Sequence, residues 1–462
     1  MGREMQLSRR GFVGALGLAA AYPRMAVGET SADGFQILRA QKYVAELLEN
    51  TEIKTLLWRF SIEEKATVLR AKQGSEFKVR IINDMDREIW FHWFGVRGPS
   101  DMMTLNIQPG EANAVDCVFT PPDAGTFWFG PLTDASRQRD MGLYGLLIVE
   151  EKQAIPALMD IPLIIDDWKI AADGKIDESF GDLQAAVGAG RLGNWFTVNG
   201  AYLPHIKLPA NLPCRLRVLN AANSRAMGLQ FKGADPLVVA LDGQPIAPRQ
   251  GGLLGLVLQP GQRIDLVFDV GGSDAVMALD IAGDIVEVCY LEREPGNGDA
   301  FLEDNFALPI NPIAVNVDVA KARTIPVVIA GGAKGGLKSA TFKNEVLDLR
   351  GLLERGMAWA INGVAGPGGE VIGKFAKGES IILDIDNATQ FDQPLHIHGH
   401  VWQVIEQSGT VQEGQPWRDT TLVPAMKRQK LAFVADNPGI WVLQSLVAER
   451  VDSGLIASFA TE

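Results

Sequence analysis

Cysteine is almost absent from this 462-residue chain: Cys117, Cys214 and Cys289 are far apart and form no CxxC pattern. An odd count in an exported protein leaves at least one thiol unpaired, and the wide spacing argues against a disulfide framework. All three lie in apolar, strand-like runs, where a thiol is expected to pack as a small buried hydrophobe. Histidine is nearly as scarce, with five. Positive charge is in deficit: 43 Lys and Arg face 56 Asp and Glu, for a net charge of −13 and a pI near 5.0. Nucleic-acid binding calls for a concentrated basic face, so small molecules or proteins are the expected partners. The chain has no GxSxG elbow, no GxxxxGK[ST] loop and no HExxH helix. The run Gly331-Gly332-Ala333-Lys334-Gly335-Gly336 lacks the Ser or Thr that completes a phosphate loop, and is read as a turn.

The N-terminus does carry a signal. Ser8-Arg9-Arg10-Gly11-Phe12-Val13 opens a short apolar run that ends at Ala21, ahead of Tyr22-Pro23-Arg24. This pattern looks like a twin-arginine signal peptide over residues 1–28, with small residues at Ala26 and Gly28 suited to cleavage after Gly28. The run is too short for a transmembrane anchor. The expectation is export by the twin-arginine machinery to the periplasm as a soluble protein. The competing reading, a buried N-terminal helix, would set paired arginines awkwardly against a core.

The remaining chain is 47% apolar and long enough for about three domains. Short alternating or β-branched runs are punctuated by Gly, Pro and Asn, the spacing of β-sandwiches. A turn followed by an apolar strand ending in Asn occurs at 74–83, 213–220 and 378–387, one copy for each of three related sandwiches. The expected division is 35–150, 151–305 and 306–462, with linkers near 152–156 and 294–312. Residues 38–48 read equally as helix or extended arm, and 181–193 as an excursion on the second domain.

The sharpest motif is Gln393-Pro394-Leu395-His396-Ile397-His398-Gly399-His400. Alternate positions on a strand put all three imidazoles on one side, a metal-site geometry. This run resembles the HPxHxHGH motif of the multicopper oxidases. Segments at 71–99, 161–174, 197–200, 215–223, 239–245, 259–267, 359–363, 394–404, 416–424 and 435–459 resemble that family's successive signatures in order. The resemblance implies an all-β fold of three tandem cupredoxin-like Greek-key β-sandwich domains. Within the family the chain is similar to the twin-arginine-exported, copper-free cell-division branch.

In that family a type 1 copper passes electrons to a trinuclear cluster that reduces dioxygen. The motif normally HxHG reads His92-Trp93-Phe94-Gly95, retaining a type 2 ligand and replacing a type 3 ligand with Phe94. WxHxH reads Trp128-Phe129-Gly130-Pro131-Leu132, without either type 3 histidine. In the third motif Gln393 stands for a type 1 histidine, His396 matches the second type 2 ligand, His398 a type 3 ligand, and His400 a family histidine that binds no metal. HCHxxxH reads Gln444-Ser445-Leu446-Val447-Ala448-Glu449-Arg450, with no histidine or cysteine. A blue copper site requires a Cys thiolate. The resemblance therefore implies no type 1 centre and too few ligands for a type 3 pair.

The residues that remain, His92, His396 and His398, could hold one copper or zinc ion with open positions for water. Asp392, Asp419 and Glu406 are the nearby acids that could orient an imidazole. Against a metal, the same histidines could be packed and hydrogen-bonded in a strand that has lost its ion. Phe94, Gly130 and Leu132 are expected to fill the former cluster cavity with apolar volume. Trp128 and Phe129 are read as core and the lone His205 as a surface histidine. Arg450 is expected to pair with Glu449 or another acid, or to reach solvent, at a repaired core edge. Two readings follow. The first is a non-catalytic periplasmic scaffold that binds a protein partner of the division machinery or envelope, with no cofactor. The alternative is a mononuclear type 2-like copper or zinc protein, or oxidoreductase, built on His92, His396 and His398.

Overall fold

The computed structural model describes residues 31–462 except 49–50, 62–67, 156–157, 211, 252–255, 270–273, 296–301, 304, 314–316 and 368–370. The expected signal peptide at 1–28 lies outside the described residues, as do parts of both expected linkers.

Alternation in the sequence becomes alternation across a sheet. In Phe77–Asn83, Phe77, Val79 and Ile81 are buried while Lys78 and Arg80 lie on the more open face. Repeated along the chain, this yields three β-sandwiches. The first pairs a four-stranded sheet, in the order Thr55–Ser61, Gln36–Ala45, Phe77–Asn83, Val115–Phe119, with a five-stranded one. The second draws its strands from 159–294 and the third from 323–461, each with one six-stranded and one five-stranded sheet.

All three share one topology. In one sheet an opening strand runs parallel to a later one, pairing 36–40 with 79–83, 159–165 with 214–220, and 323–329 with 381–387. The opposite sheet holds a second parallel pair, at 68–72 with 146–150, 205–209 with 290–294, and 374–375 with 460–461. Parallel neighbours cannot be joined by a hairpin, so each sandwich needs the crossing connections of a Greek key.

The repeated Asn explains why the strand motif recurs. Asn83, Asn220 and Asn387 are fully buried at their strand ends. The Asn83 amide donates to the Arg87 and Ile107 carbonyls at 2.8 and 2.9 Å, and its Oδ1 accepts from the Met85 N–H. Asn220 makes the same set with Arg225, Leu258 and Ala222, and Asn387 with Phe391, Val423 and Thr389. Each amide therefore ties the end of its strand to the loop behind it and to the opposite sheet.

Residues 38–48, open between helix and arm, are resolved as strand: Gln36–Ala45 pairs with Thr55–Ser61. The excursion at 181–193 does more than decorate the second sandwich. Its helix Leu183–Val187, capped by the Asp182 carboxylate, lies against the third. The Trp359 indole donates to the Ala186 carbonyl at 2.7 Å, and the Ala333 N–H to Val187. Between the first two sandwiches the backbones nearly touch, since a Cβ on Gly125 would lie 2.2 Å from the Gly243 carbonyl oxygen. The three cysteines are free and buried, and burial pushes each thiol up to about 12.

Asn220→Ala would leave the buried Leu258 carbonyl and the part-buried Arg225 carbonyl without their donor. It should lower the stability of the second sandwich by roughly 1–3 kcal/mol, read as an earlier thermal transition. An unchanged transition would contradict the tie.

Candidate metal centre

His92 and His396 occupy matching positions in two sandwiches. His92 lies on Ile89–Phe94 opposite Thr104, and His396 on Gln393–Ile397 opposite Thr420. In each case the threonine hydroxyl meets the imidazole Nδ1, at 2.8 Å for His92 and 3.0 Å for His396. Thr420 spends its only hydroxyl proton on Asp419 Oδ1 at 2.7 Å, so it must accept from His396. Nδ1 of His396 therefore carries a proton.

His398 joins them just beyond the strand end. One ligating atom from each of His92, His396 and His398 lies within 4.8 Å of the others, the only such His, Cys, Asp or Glu group among the described residues. The rings of His92 and His398 stack 3.8 Å apart. All three side chains are buried, and no Nε2 has a hydrogen-bond partner. Burial, reinforced by the neighbouring imidazoles, holds His92 and His398 well below the ordinary histidine range. They are neutral at pH 7, which leaves one nitrogen lone pair on each ring.

The expectation that His400 shares this side does not hold. The strand ends at Ile397 and Gly399 turns at φ 66°, so the alternation stops. His400 instead nests among Phe433, Trp441 and Phe459, with its Nδ1 3.1 Å from the His398 carbonyl.

Of the three acids that could orient an imidazole, Asp419 does so, 3.3 Å from His396 Nδ1. Asp392 accepts from the Ala425 N–H and Glu406 pairs with Lys430. Arg263 of the second sandwich grips both oxygens of Asp419. Burial alone would raise the Asp419 carboxyl, but Arg263 and His396 outweigh it and hold it well below the carboxylate range. Gly95, at φ 84°, permits this: a Cβ there would lie 2.3 Å from Asp419 and 2.5 Å from Arg263. Thr104, Thr420 and Arg263 carry no motif of their own. For the threonines the available signal is their place opposite the histidine strands.

The other positions that the resemblance assigns to copper ligands hold a different chemistry. Phe94 stacks on Trp128 at 3.8 Å and 6°, in an apolar cluster with Leu132, Ile164, Leu219 and Leu446. Gly130 has little room, since a Cβ would sit 3.2 Å from Trp128 and from the Leu143 carbonyl. Arg450 neither pairs with an acid nor reaches solvent, contrary to expectation. It is buried and donates to the Gln393 side chain at 2.9 Å and the Asp392 carbonyl at 2.6 Å. Trp359 and Phe391 present their faces to its guanidinium. Ser445 Oγ accepts from the Val447 N–H. His205 is exposed and meets Glu292 at 2.6 Å. The donor set thus fits one ion held by three nitrogens. It does not fit a type 1 copper, which needs a thiolate, nor a bridged pair.

Arg263→Met would leave the buried Asp419 carboxylate without its cation, held only by Thr420 and His396, and should cost about 3–5 kcal/mol. Because the folded carboxyl is held low, its contribution is present above the ordinary carboxylate range and lost as pH falls through that range and below. The deficit of the variant, read as a difference in thermal midpoint from the parent, should therefore be full at pH 7 and shrink in acid. A deficit that grows in acid would contradict this assignment.

Sequence models described as multicopper oxidase match residues 58–154 and 343–462. The cell division protein FtsP of Escherichia coli is 24% identical over 449 residues, covering 91% of each chain. Multicopper oxidase MmcO of Mycobacterium tuberculosis is 24% identical over 412 residues, covering 81% of this chain and 77% of that protein. Among solved structures, a multicopper oxidase from Pseudomonas thermotolerans superposes with a TM-score of 0.79 at 27% identity, covering 95% of this chain and all of that one. One from Pseudomonas parafulva gives 0.77 at 29% identity, covering 92% of this chain and all of that one. With sandwich topology, motif order and these likenesses in agreement, the chain belongs to the multicopper oxidase superfamily and is related to FtsP.

Proposed function

We propose that the chain is a non-catalytic, periplasmic member of its superfamily that binds a protein partner of the cell envelope or division machinery. The observation that carries this reading is the closure of the former copper positions. Arg450 and Gln393 satisfy each other where the family has type 1 ligands, and Phe94 lies flat on Trp128 where it has type 3 ligands. A blue copper needs an open, thiolate-bearing pocket, and a packed arginine with a glutamine supplies neither. The family's route for electrons from substrate to dioxygen is absent in this reading. The relation to a protein named for cell division supports a division or envelope role, and the twin-arginine pattern at Arg9-Arg10 supports export.

A second reading rests on a separate observation, the three buried and unpartnered Nε2 atoms. His92, His396 and His398 would hold one copper or zinc ion. When bound, such an ion supplies Lewis-acid character and a place for water. The chain's own part is orientation and exclusion. Thr104 fixes His92, Thr420 with Asp419 fixes His396, and Phe94 with Trp128 keeps solvent out. The scaffold reading survives either metal result, because partner binding needs no ion.

One preparation tests both. The mature chain is loaded with copper or zinc and analysed for metal, beside His396→Ala and the His92→Ala, His396→Ala double variant, and each is cross-linked in the periplasm. At most one ion per chain, lost in His396→Ala, is expected, with the same partner recovered by parent and double variant. Unchanged metal content in His396→Ala would remove the second reading. Several coppers with intense blue colour, or loss of the partner in the folded double variant, would contradict the first.

A further inference from the structure

We propose that the joint around Asp140, Arg191 and Glu449, where the three sandwiches meet, is a proton-operated latch, closed when its surplus carboxyl protons are held and loosened when they leave.

The joint is a lock of short elements. Helices Ala135–Gln138 of the first sandwich and Ala448–Asp452 of the third pack together, and the Asp452 carboxylate accepts from the Ala135 and Ser136 N–H groups at 3.0 and 2.8 Å. Asn223 of the second sandwich donates to the Ser136 carbonyl and accepts from the Ala448 N–H. Arg139 reaches the Leu446 carbonyl at 3.1 Å. These contacts tie the third sandwich to the other two.

The charges inside do not balance. Asp140, Asp166, Asp167 and Glu449 are buried, against two buried guanidiniums, Arg139 and Arg191. Asp140 takes the Arg191 Nε at 2.6 Å. The rest of that guanidinium faces Ser179 and Asp177 at the rim. Asp167 is met by Arg225, also at the rim, and by the Gly193 N–H, leaving one oxygen without a partner. Asp166 accepts from the Tyr144 hydroxyl at 2.6 Å. Glu449 is the most weakly held: Asn223 reaches one oxygen at 3.4 Å, the Arg191 backbone N–H also acts on the carboxylate, and the other oxygen has no close partner, nor has Arg139 Nε. Arg450 turns away to Gln393, and Asp134, which faces Asp452, is engaged by Arg87 and Arg137. Full ionisation would leave uncompensated charge in a dry interface, a cost of several kcal/mol per ion. Protons relieve it.

The pull of burial on these groups runs in the same direction. Burial pushes Asp140 up to about 7 and Asp167 to about 6, and raises Asp166, Glu449 and Asp452 as well. An acid whose folded value is raised above its unfolded one loses stability as pH climbs from the ordinary carboxylate range through the folded value. The latch is therefore tight in mild acid and loosest above about pH 7.

Hydrogen–deuterium exchange on the whole mature chain at pH 6 and pH 8, corrected for the chemical exchange rate, tests this. Amides in 135–144, 188–194 and 445–455 should exchange about tenfold faster at pH 8, one pK unit beyond the Asp140 midpoint. Core strands such as Phe77–Asn83 should not change. Asp140→Asn and Glu449→Gln, each lacking one surplus charge, should cut the pH 8 acceleration by several-fold. Equal parent protection at both pH values, or acceleration in both variants as large as the parent's, overturns the latch.

Discussion

The contact between Arg263 and Asp419 organises the centre of this molecule. It joins the second sandwich to the third, fully buried, with the guanidinium on both carboxylate oxygens. The same Arg263 donates to the Thr126 carbonyl of the first sandwich, and the same Asp419 takes the Thr420 proton that sets the tautomer of His396. Domain packing and imidazole orientation thus share one ion pair. It is tolerable in a dry interior because four guanidinium hydrogen bonds and both carboxylate oxygens find partners, as a buried pair requires. Gly95, directly after the His92 strand, leaves the space it occupies.

Around this centre, the positions that the resemblance assigns to copper ligands hold other side chains. An apolar stack lies on one side of the three histidines, and Arg450 with Gln393 occupies positions that the resemblance assigns to two type 1 imidazoles, with Ser445 at that of the thiolate. The fold is held by strand-end asparagines and by apolar sheet cores that include none of the three histidines. Fold and function separate here because the fold's stability and the site's chemistry rest on different residues.

Much of this was legible in the sequence. The turn, apolar strand and terminal Asn at 74–83, 213–220 and 378–387 signalled a threefold repeat, and the buried amides supply its reason. His92, His396 and His398 could be picked out, and they do converge. His400 could not be separated from them, because the end of the strand at Ile397 and the turn at Gly399 are not visible in alternation alone. Thr104, Thr420 and Arg263 were missed because their roles depend on which strand lies opposite or across a domain boundary. Arg450 was misread for a related reason: its partners are carbonyls and an amide brought near by the fold. The strap at 181–193 was seen as an excursion, but its docking on Trp359 is tertiary.

Steady-state oxygen consumption by the copper-saturated mature chain, with phenolic and with cuprous donors, tests the central claim most directly. The account predicts a rate no higher than that of His92→Ala treated identically, since the proposed reading has no type 1 copper to pass electrons from a donor. Donor-dependent reduction of dioxygen to water, abolished in His92→Ala, would contradict it.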